Sequence, residues 1–270
     1  MEKKKLNYQG HSFELDTYWL DPFNDFDKQV DHPLAIIFPG GRFTFQTDRE
    51  AQPIALKFAS EGFHAIVLHY QLIDNGVPVY PLALQETATT LNWLKTQAIN
   101  HNIDLNRIIL VGFSAGGHIV ANFNSIMTDP NIRSRVFDTK IKVMPKANVL
   151  CYPVIDLSAG YPKTNEHRLA VSRDTFYWQS QRYLNKYSKP TFIWQTVDDQ
   201  TVPVQNSLLY AEKLNQLGIS YELHLFGSGR HGLALGTYVT QRPGVEDHLN
   251  KFAAKWWQLE INWFKLIGIL

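Results

Sequence analysis

The sequence predicts an α/β fold, a mostly parallel central sheet with helices on both faces, and three observations lead there. Short β-rich runs alternate with stretches of helical periodicity along the chain. Several of those runs are continuously apolar, as parallel strands covered on both faces must be. No internal repeat or low-complexity linker divides the 270 residues, so residues 1–270 read as a single domain.

The elements follow in order. Residues 5–8 and 12–19 flank Gln9-Gly10-His11 and suggest an antiparallel hairpin added to one sheet edge. Strands are expected over 33–39 (PLAIIFP), 62–69 (GFHAIVLH), 107–113 (RIILVGF), 147–152 (ANVLCY), 190–197 (PTFIWQTV) and 220–226 (SYELHLF). Between them Leu84, Ala88, Leu91, Leu94 and Ala98 recur at helical spacing, as do Ile119, Phe123, Ile126 and Met127. A third helix is expected over 203–217, with Pro203 at its start and Gly218 just past its end. Strand–helix alternation of this kind implies right-handed crossovers between parallel strands. Two connections are long for such a fold, 128–146 and 157–189. The second carries Tyr161, Phe176, Tyr177, Trp178, Tyr183 and Tyr187, which suggests a cap over a substrate site.

Composition excludes several functions. Lys plus Arg is 26 and Asp plus Glu is 25, so no global field favours nucleic acid or an acidic membrane. The single cysteine, Cys151, rules out an internal disulfide and a multi-thiolate metal site, and its apolar neighbours mark it as a buried strand residue. No apolar run is long enough for a signal peptide or a membrane span, and a reducing cytoplasm is the expected location. No H-E-x-x-H occurs and no metal or cofactor is expected. Glu246-Asp247-His248 reads as a solvated helix face.

The strongest chemical signal is Gly112-Phe113-Ser114-Ala115-Gly116, a G-x-S-x-G directly after one expected strand and directly before a helix. A turn tight enough to project Ser114 strains its backbone, and helix-start amides, that of Ala115 among them, can donate to an oxyanion. A serine hydroxyl is a poor nucleophile without a base. His118, on the following helix, reads as structural. His231 lies in the loop after the last strand, where it can swing over the carboxyl edge of the sheet. The surrounding 227–232 (GSGRHG) also matches G-x-G-x-x-G, but it lies near the end of the sequence with no strand and terminal acid following at the required distance. An imidazole base needs a carboxylate to fix its tautomer. Asp198 and Asp199 both end a strand, and the order Ser, Asp, His differs from the trypsin-like and subtilisin-like orders. The loop Phe38-Pro39-Gly40-Gly41-Arg42-Phe43 closes the first parallel strand, where the amides of Gly41 and Arg42 can complete an oxyanion hole.

Taken together these residues resemble the carboxylesterase and acetyl-xylan-esterase-like branch of the α/β-hydrolases, related to the hormone-sensitive-lipase group. The likeness runs from Ala35 to Leu233. It includes Phe38-Pro39-Gly40-Gly41, His69-Tyr70-Gln71-Leu72, Gly112 to His118, Tyr152-Pro153-Val154-Ile155-Asp156, Asp199-Gln200-Thr201-Val202-Pro203 and His231-Gly232-Leu233. The resemblance implies an α/β-hydrolase fold with a small cap insertion. It also favours Asp199 over Asp198, because in that family the acid precedes Val-Pro by this spacing. One departure stands out: where the family often has His-Gly-Gly-Gly, Pro39 and Arg42 replace the first and last residues, adding charge at the mouth.

The expected activity is hydrolysis of short-chain carboxylic esters through an acyl-enzyme on Ser114, the acyl group small and the alcohol a sugar or a small molecule. An amidase or peptidase using the same three residues is the alternative within enzymes, and a catalytically silent ligand-binding protein is the alternative outside them. The C-terminal segment adds one expectation. Phe252, Trp256, Leu259 and Trp263 recur at helical spacing, which leaves Trp257, Ile261, Phe264 and 267–270 as apolar surplus suited to a homo-oligomer interface.

Overall fold

The computed structural model describes residues 1–22, 25 and 30–270. Eight strands form one sheet: β1 (Glu2–Tyr8), β2 (His11–Tyr18), β3 (His32–Phe38), β4 (His64–His69), β5 (Ile103–Phe113), β6 (Ala147–Cys151), β7 (Thr191–Thr196) and β8 (Tyr221–Phe226). Their spatial order is β1-β2-β4-β3-β5-β6-β7-β8. β1 and β2 form the expected antiparallel hairpin at one edge, turning at Gln9 and Gly10, and β2 joins β4 antiparallel; β3 to β8 are parallel throughout.

Helices α1 (Gln52–Ala59), α2 (Leu82–His101), α3 (Ala115–Asn122), α4 (Pro130–Arg133), α5 (Asn165–Val171), α6 (Gln205–Gln216) and α7 (Trp256–Leu266) connect or cover the strands. The α3 periodicity predicted out to Met127 is present, but its last turn, Phe123–Met127, is a π-turn. Strand residues alternate between the two faces because successive side chains point opposite ways. Ile36, Leu110, Leu150 and Ile193 pack with Leu84, Leu91, Ile119 and Leu214 on one side. Ile37, Val111, Val149 and Phe192 pack with Ile54, Phe58, Trp256 and Phe264 on the other.

Strand order sets the position of the site. β3 is flanked by β4 on one side and β5 on the other, so the chain direction across the sheet reverses there. Connections leaving β3 and β5 diverge and open a crevice at the carboxyl ends of the strands. Phe38 pairs in register with Gly112, which starts the Pro39–Gly41 loop and Ser114 side by side.

Two expectations change in detail. The segment 157–189 contains α5 and two short 3₁₀ turns, and Leu157, Val171, Phe176, Tyr177 and Leu184 are buried in the main core. Its Tyr161 is the residue that lines the cleft beside Ser114. The C-terminal surplus is largely used within the chain. Trp257 packs on Phe58 at 4.8 Å between ring centroids, Phe264 on Phe63 at 5.6 Å, and Ile261 and Ile269 are buried. A one-face helical stripe does not show this because α7 lies in a groove between α1 and the sheet and is covered on more than one side. Phe252, expected on the buried stripe, lies ahead of α7 and is exposed, as are Leu266 and Leu270.

Candidate active site

The G-x-S-x-G turn has the backbone its sequence suggests. Ser114 has φ 50° and ψ −112°, outside the regions favoured by L-residues, at the junction of β5 and α3. Gly116 permits that junction, because a Cβ there would collide with the carbonyl of Phe38. The strained turn places Ser114 Oγ 2.7 Å from His231 Nε2. On the other side of the imidazole, His231 Nδ1 lies 2.6 Å from Asp199 Oδ2. Three residues from three separate loops thus form one hydrogen-bonded relay, able to pass the serine proton to the imidazole.

Asp199 is buried and fixed. Its Oδ1 accepts the amides of Thr201 (2.9 Å) and Val202 (3.0 Å), in the turn that opens α6, while Oδ2 meets His231 and accepts a longer bond, 3.4 Å, from Gln195 Nε2. Asp198 faces the other way. Its carboxylate accepts the Ser228 hydroxyl and the Gly229 amide, both at 2.8 Å, and so braces the loop that carries His231. These two hydrogen bonds hold the exposed Asp198 carboxyl below its ordinary range. The two adjacent acids therefore divide the work, Asp199 on the ring and Asp198 on the loop.

The loop after β3 is held from several sides. Gly40 donates its amide to Glu50 Oε2 at 2.7 Å, and Tyr70 donates its hydroxyl to the Pro39 carbonyl at 2.5 Å. The Gly41 carbonyl accepts the amides of Thr44 and Phe45, both at 3.1 Å. Gly41 itself sits at φ 141°, where a Cβ would strike the carbonyl of Phe45. Among the described residues no acceptor meets the amides of Gly41, Arg42 or Ala115, the three donors expected from the sequence. Gly41 and Arg42 line the same cleft as Ser114, and Ala115 begins α3 directly after it.

Glu50 is not marked by the sequence, and Tyr152 only as the first residue of the 152–156 likeness with no role attached, yet they join the site's two halves. Tyr152 donates its hydroxyl to Glu50 Oε1 at 2.7 Å and accepts the Ala234 amide at 3.0 Å. Its ring stands edge-on to His231, with centroids 5.1 Å apart. Burial, and then the Glu50 carboxylate, push the phenol well above its usual range, so the hydroxyl stays protonated. Arg49 adds a second tie, donating to the carbonyls of Gly232 and Thr240 at 3.0 Å each. The signal for Glu50 is absent from the sequence, since Thr47-Asp48-Arg49-Glu50 reads as a polar surface loop.

The remaining expectations divide. His118 is structural as read: it is buried, bonded to the Tyr80 hydroxyl at 2.7 Å, and burial lowers its pKa to about 4. Cys151 is fully buried, and that burial raises its thiol pKa well above the ordinary value. The expectation for Glu246-Asp247-His248 needs correction at its last member. His248 is only 2% exposed and lines the cleft with Asp247, because the bend after Arg242 folds this segment back over the His231 loop. Among the described residues no group of three or more His, Cys, Asp or Glu is placed to hold a metal, and no helix is long and apolar enough to cross a membrane.

The cleft over Ser114 has a volume of about 440 Å³ and is mainly polar, lined by Thr47, Tyr161, Gln200, Thr201 and several charged residues. Comparisons with known proteins agree with this architecture. The crystal structure of the carboxylesterase Cest-2923 from Lactobacillus plantarum WCFS1 is 46% identical, with a TM-score of 0.98, covering 100% of this chain and 98% of that one. An acetyl ester-xyloside bifunctional hydrolase from Caldicellulosiruptor lactoaceticus is 30% identical, with a TM-score of 0.77, covering 96% of this chain and 90% of that one. Endo-1,4-beta-xylanase B of Butyrivibrio fibrisolvens is 28% identical over 240 residues, which are 87% of this chain and 37% of the relative, so the chain spans well under half of that protein. Residues 20–214 match the BD-FAE family, and the chain belongs to that family of α/β-hydrolases.

Proposed function

We propose that the protein is a serine esterase that hydrolyses short-chain carboxylic esters through an acyl-enzyme on Ser114. The observation that carries this reading is the relay Ser114–His231–Asp199, with hydrogen bonds of 2.7 and 2.6 Å. His231 Nε2 takes the hydroxyl proton as Ser114 Oγ attacks the ester carbonyl. Asp199 holds the Nδ1–H tautomer and stabilises the imidazolium. The amides of Gly41, Arg42 and Ala115 receive the oxyanion, and their lack of other acceptors among the described residues supports that role. The tetrahedral intermediate collapses as His231 returns the proton to the departing alcohol oxygen. Water, deprotonated by the same nitrogen, then releases the acid and restores the serine.

Two features favour small acyl groups. The cleft is modest in volume and polar rather than apolar, and Tyr161 limits it on one side. Esterase names among the similar proteins, including the carboxylesterase and the acetyl ester-xyloside hydrolase, point to the same class of reaction.

The test is a panel of 4-nitrophenyl esters from acetyl to palmitoyl, with an acetylated sugar and 4-nitroacetanilide. Turnover is expected to be highest at two to four acyl carbons, and the anilide is expected to be slower by orders of magnitude. Ser114→Ala should remove about 10⁴-fold or more of kcat, and a fluorophosphonate should label Ser114. Labelling elsewhere, or activity above a tenth of wild type in the variant, would overturn the mechanism. An anilide cleaved faster than the esters would make the enzyme an amidase.

A further inference from the structure

The proposed esterase chemistry needs no charge on its substrate, yet the cleft that holds Ser114 is lined by four arginines, Arg42, Arg49, Arg230 and Arg242. Two of them are occupied. Arg230 donates its Nη1 to both carboxylate oxygens of Asp247, at 2.8 and 2.9 Å, and Arg49 donates to two backbone carbonyls. Among the described residues the one other carboxylate in the lining apart from Asp247, that of Glu50, already accepts the Gly40 amide and the Tyr152 hydroxyl. Arg42 and Arg242 form no ion pair among the described residues. They arrive from opposite parts of the chain, Arg42 from the loop after β3 and Arg242 from the bend before the C-terminal helix, and meet at one cleft.

A second observation points to a ligand at the same place. His248 is 2% exposed, lines the cleft, and its Nδ1 has no hydrogen-bond partner among the described residues. The Asp247 carboxylate stands 3.9 Å from that nitrogen, beyond hydrogen-bond distance, so the ring's hydrogen-bonding capacity on that side is unused beside the cleft. Burial, and then the charges of Arg49 and Arg230, hold the imidazole pKa down to about 4, so the ring is neutral at pH 7. Four guanidinium groups against the two carboxylates of Glu50 and Asp247 leave the described lining with an excess of positive charge, and the neutral ring adds hydrogen-bonding capacity without charge.

We propose that this cleft selects esters that carry a carboxylate beyond the scissile carbonyl, with Arg42 and Arg242 as the groups that receive it. A guanidinium offers paired donors that match a carboxylate, and a cleft with an excess of positive charge also raises the local concentration of an anionic substrate. The carboxylate can belong to the acyl part or to the alcohol part, and the chemistry that recognises it is the same. This inference rests on the esterase reading given above.

The experiment compares near-isosteric pairs in which a methyl ketone replaces the carboxylate. Monoethyl succinate against ethyl levulinate tests the acyl side, and 3-acetoxypropanoate against 4-acetoxy-2-butanone tests the alcohol side. Hydrolysis is followed by pH-stat, and the quantity read is the ratio of kcat/KM, anionic over neutral, within each protein. In at least one pair the wild-type ratio is expected to exceed about tenfold at low ionic strength and to shrink as salt is added. In Arg242→Gln the ratio is expected to fall about fivefold or more, and in Arg242→Lys to be largely kept. Taking the ratio cancels any general loss of activity in a variant. A wild-type ratio near or below one in both pairs overturns the inference while leaving the esterase reading in place, and so does a ratio unaffected by Arg242→Gln. Failure to hydrolyse any of the four esters or 4-nitrophenyl acetate overturns the esterase reading, and the inference with it.

Discussion

The Tyr152 hydroxyl lies 2.7 Å from Glu50 Oε1, a contact between residues 102 positions apart that links the loop after β3 to the loop carrying His231. Glu50 holds the Gly40 amide on one side, and Tyr152 holds the Ala234 amide on the other. The chain of hydrogen bonds therefore fixes the spacing between the expected oxyanion donors and the imidazole, and rigid spacing of this kind is what acyl transfer requires.

Tyr152→Phe tests that link. The variant keeps the ring against His231 but leaves Glu50 Oε1 and the Ala234 amide without a partner. Stability is expected to fall by about 1–3 kcal/mol, and kcat for 4-nitrophenyl acetate by about tenfold or more, with KM changing less. Urea unfolding and steady-state kinetics check both. Unchanged kcat would show that the link holds the fold alone.

The adjacent acids give a second test. Asp199→Asn should lower kcat by about 10⁴-fold because the imidazole tautomer is no longer held. Asp198→Asn should have a much smaller effect, since Asn can still accept one of the bonds from Ser228 and Gly229 through its carbonyl oxygen. Reversed losses would mean that in solution Asp198, and not Asp199, meets His231.

Much of this was legible in the sequence, for physical reasons that also mark the limit. The parallel strands are buried on both faces, so 107–113 and 190–197 read as apolar runs and reappear within β5 and around β7. Ser114, Asp199 and His231 each sit on a strand-end loop with a local motif, and their chain order supplied the rest. Glu50 and His248 have no such local motif, and the run that begins at Tyr152 carries no chemical role in itself. Their roles arise where distant loops meet, and a polar residue headed for a buried pair looks like any surface residue in the sequence. Trp257 shows the same limit for packing. Helical periodicity marks one buried face of α7, but Phe58 covers a second.

The Gly41 backbone makes a third prediction. At φ 141°, with a Cβ directed at the Phe45 carbonyl, Gly41→Ala cannot keep the loop in place. Displacing that loop by about 1 Å should cost about 10²-fold in kcat. Ser114 should still react with a fluorophosphonate, though more slowly, because the relay with His231 does not pass through the loop. Wild-type turnover in this variant would remove the loop from the mechanism.

Glu260 provides the last prediction, on stability rather than turnover. It lies on α7, fully buried, and neither carboxyl oxygen has a hydrogen-bond partner among the described residues. Burial first, and the charge of Glu61 second, raise its pKa well above the ordinary 4.5. A raised pKa in the folded state means that folding is favoured while the group is protonated in both states. As pH rises above the unfolded value, the unfolded chain ionises freely and the folded chain does not, so stability falls. Glu260→Met keeps the approximate volume and removes the polar atoms. It is expected to gain about 1–3 kcal/mol at neutral pH and to lose less stability between mildly acidic and alkaline conditions. Urea unfolding of both proteins across that pH range gives the difference directly. The gain should widen as pH rises, and parallel curves would mean that Glu260 has a partner in solution that keeps its carboxylate charged.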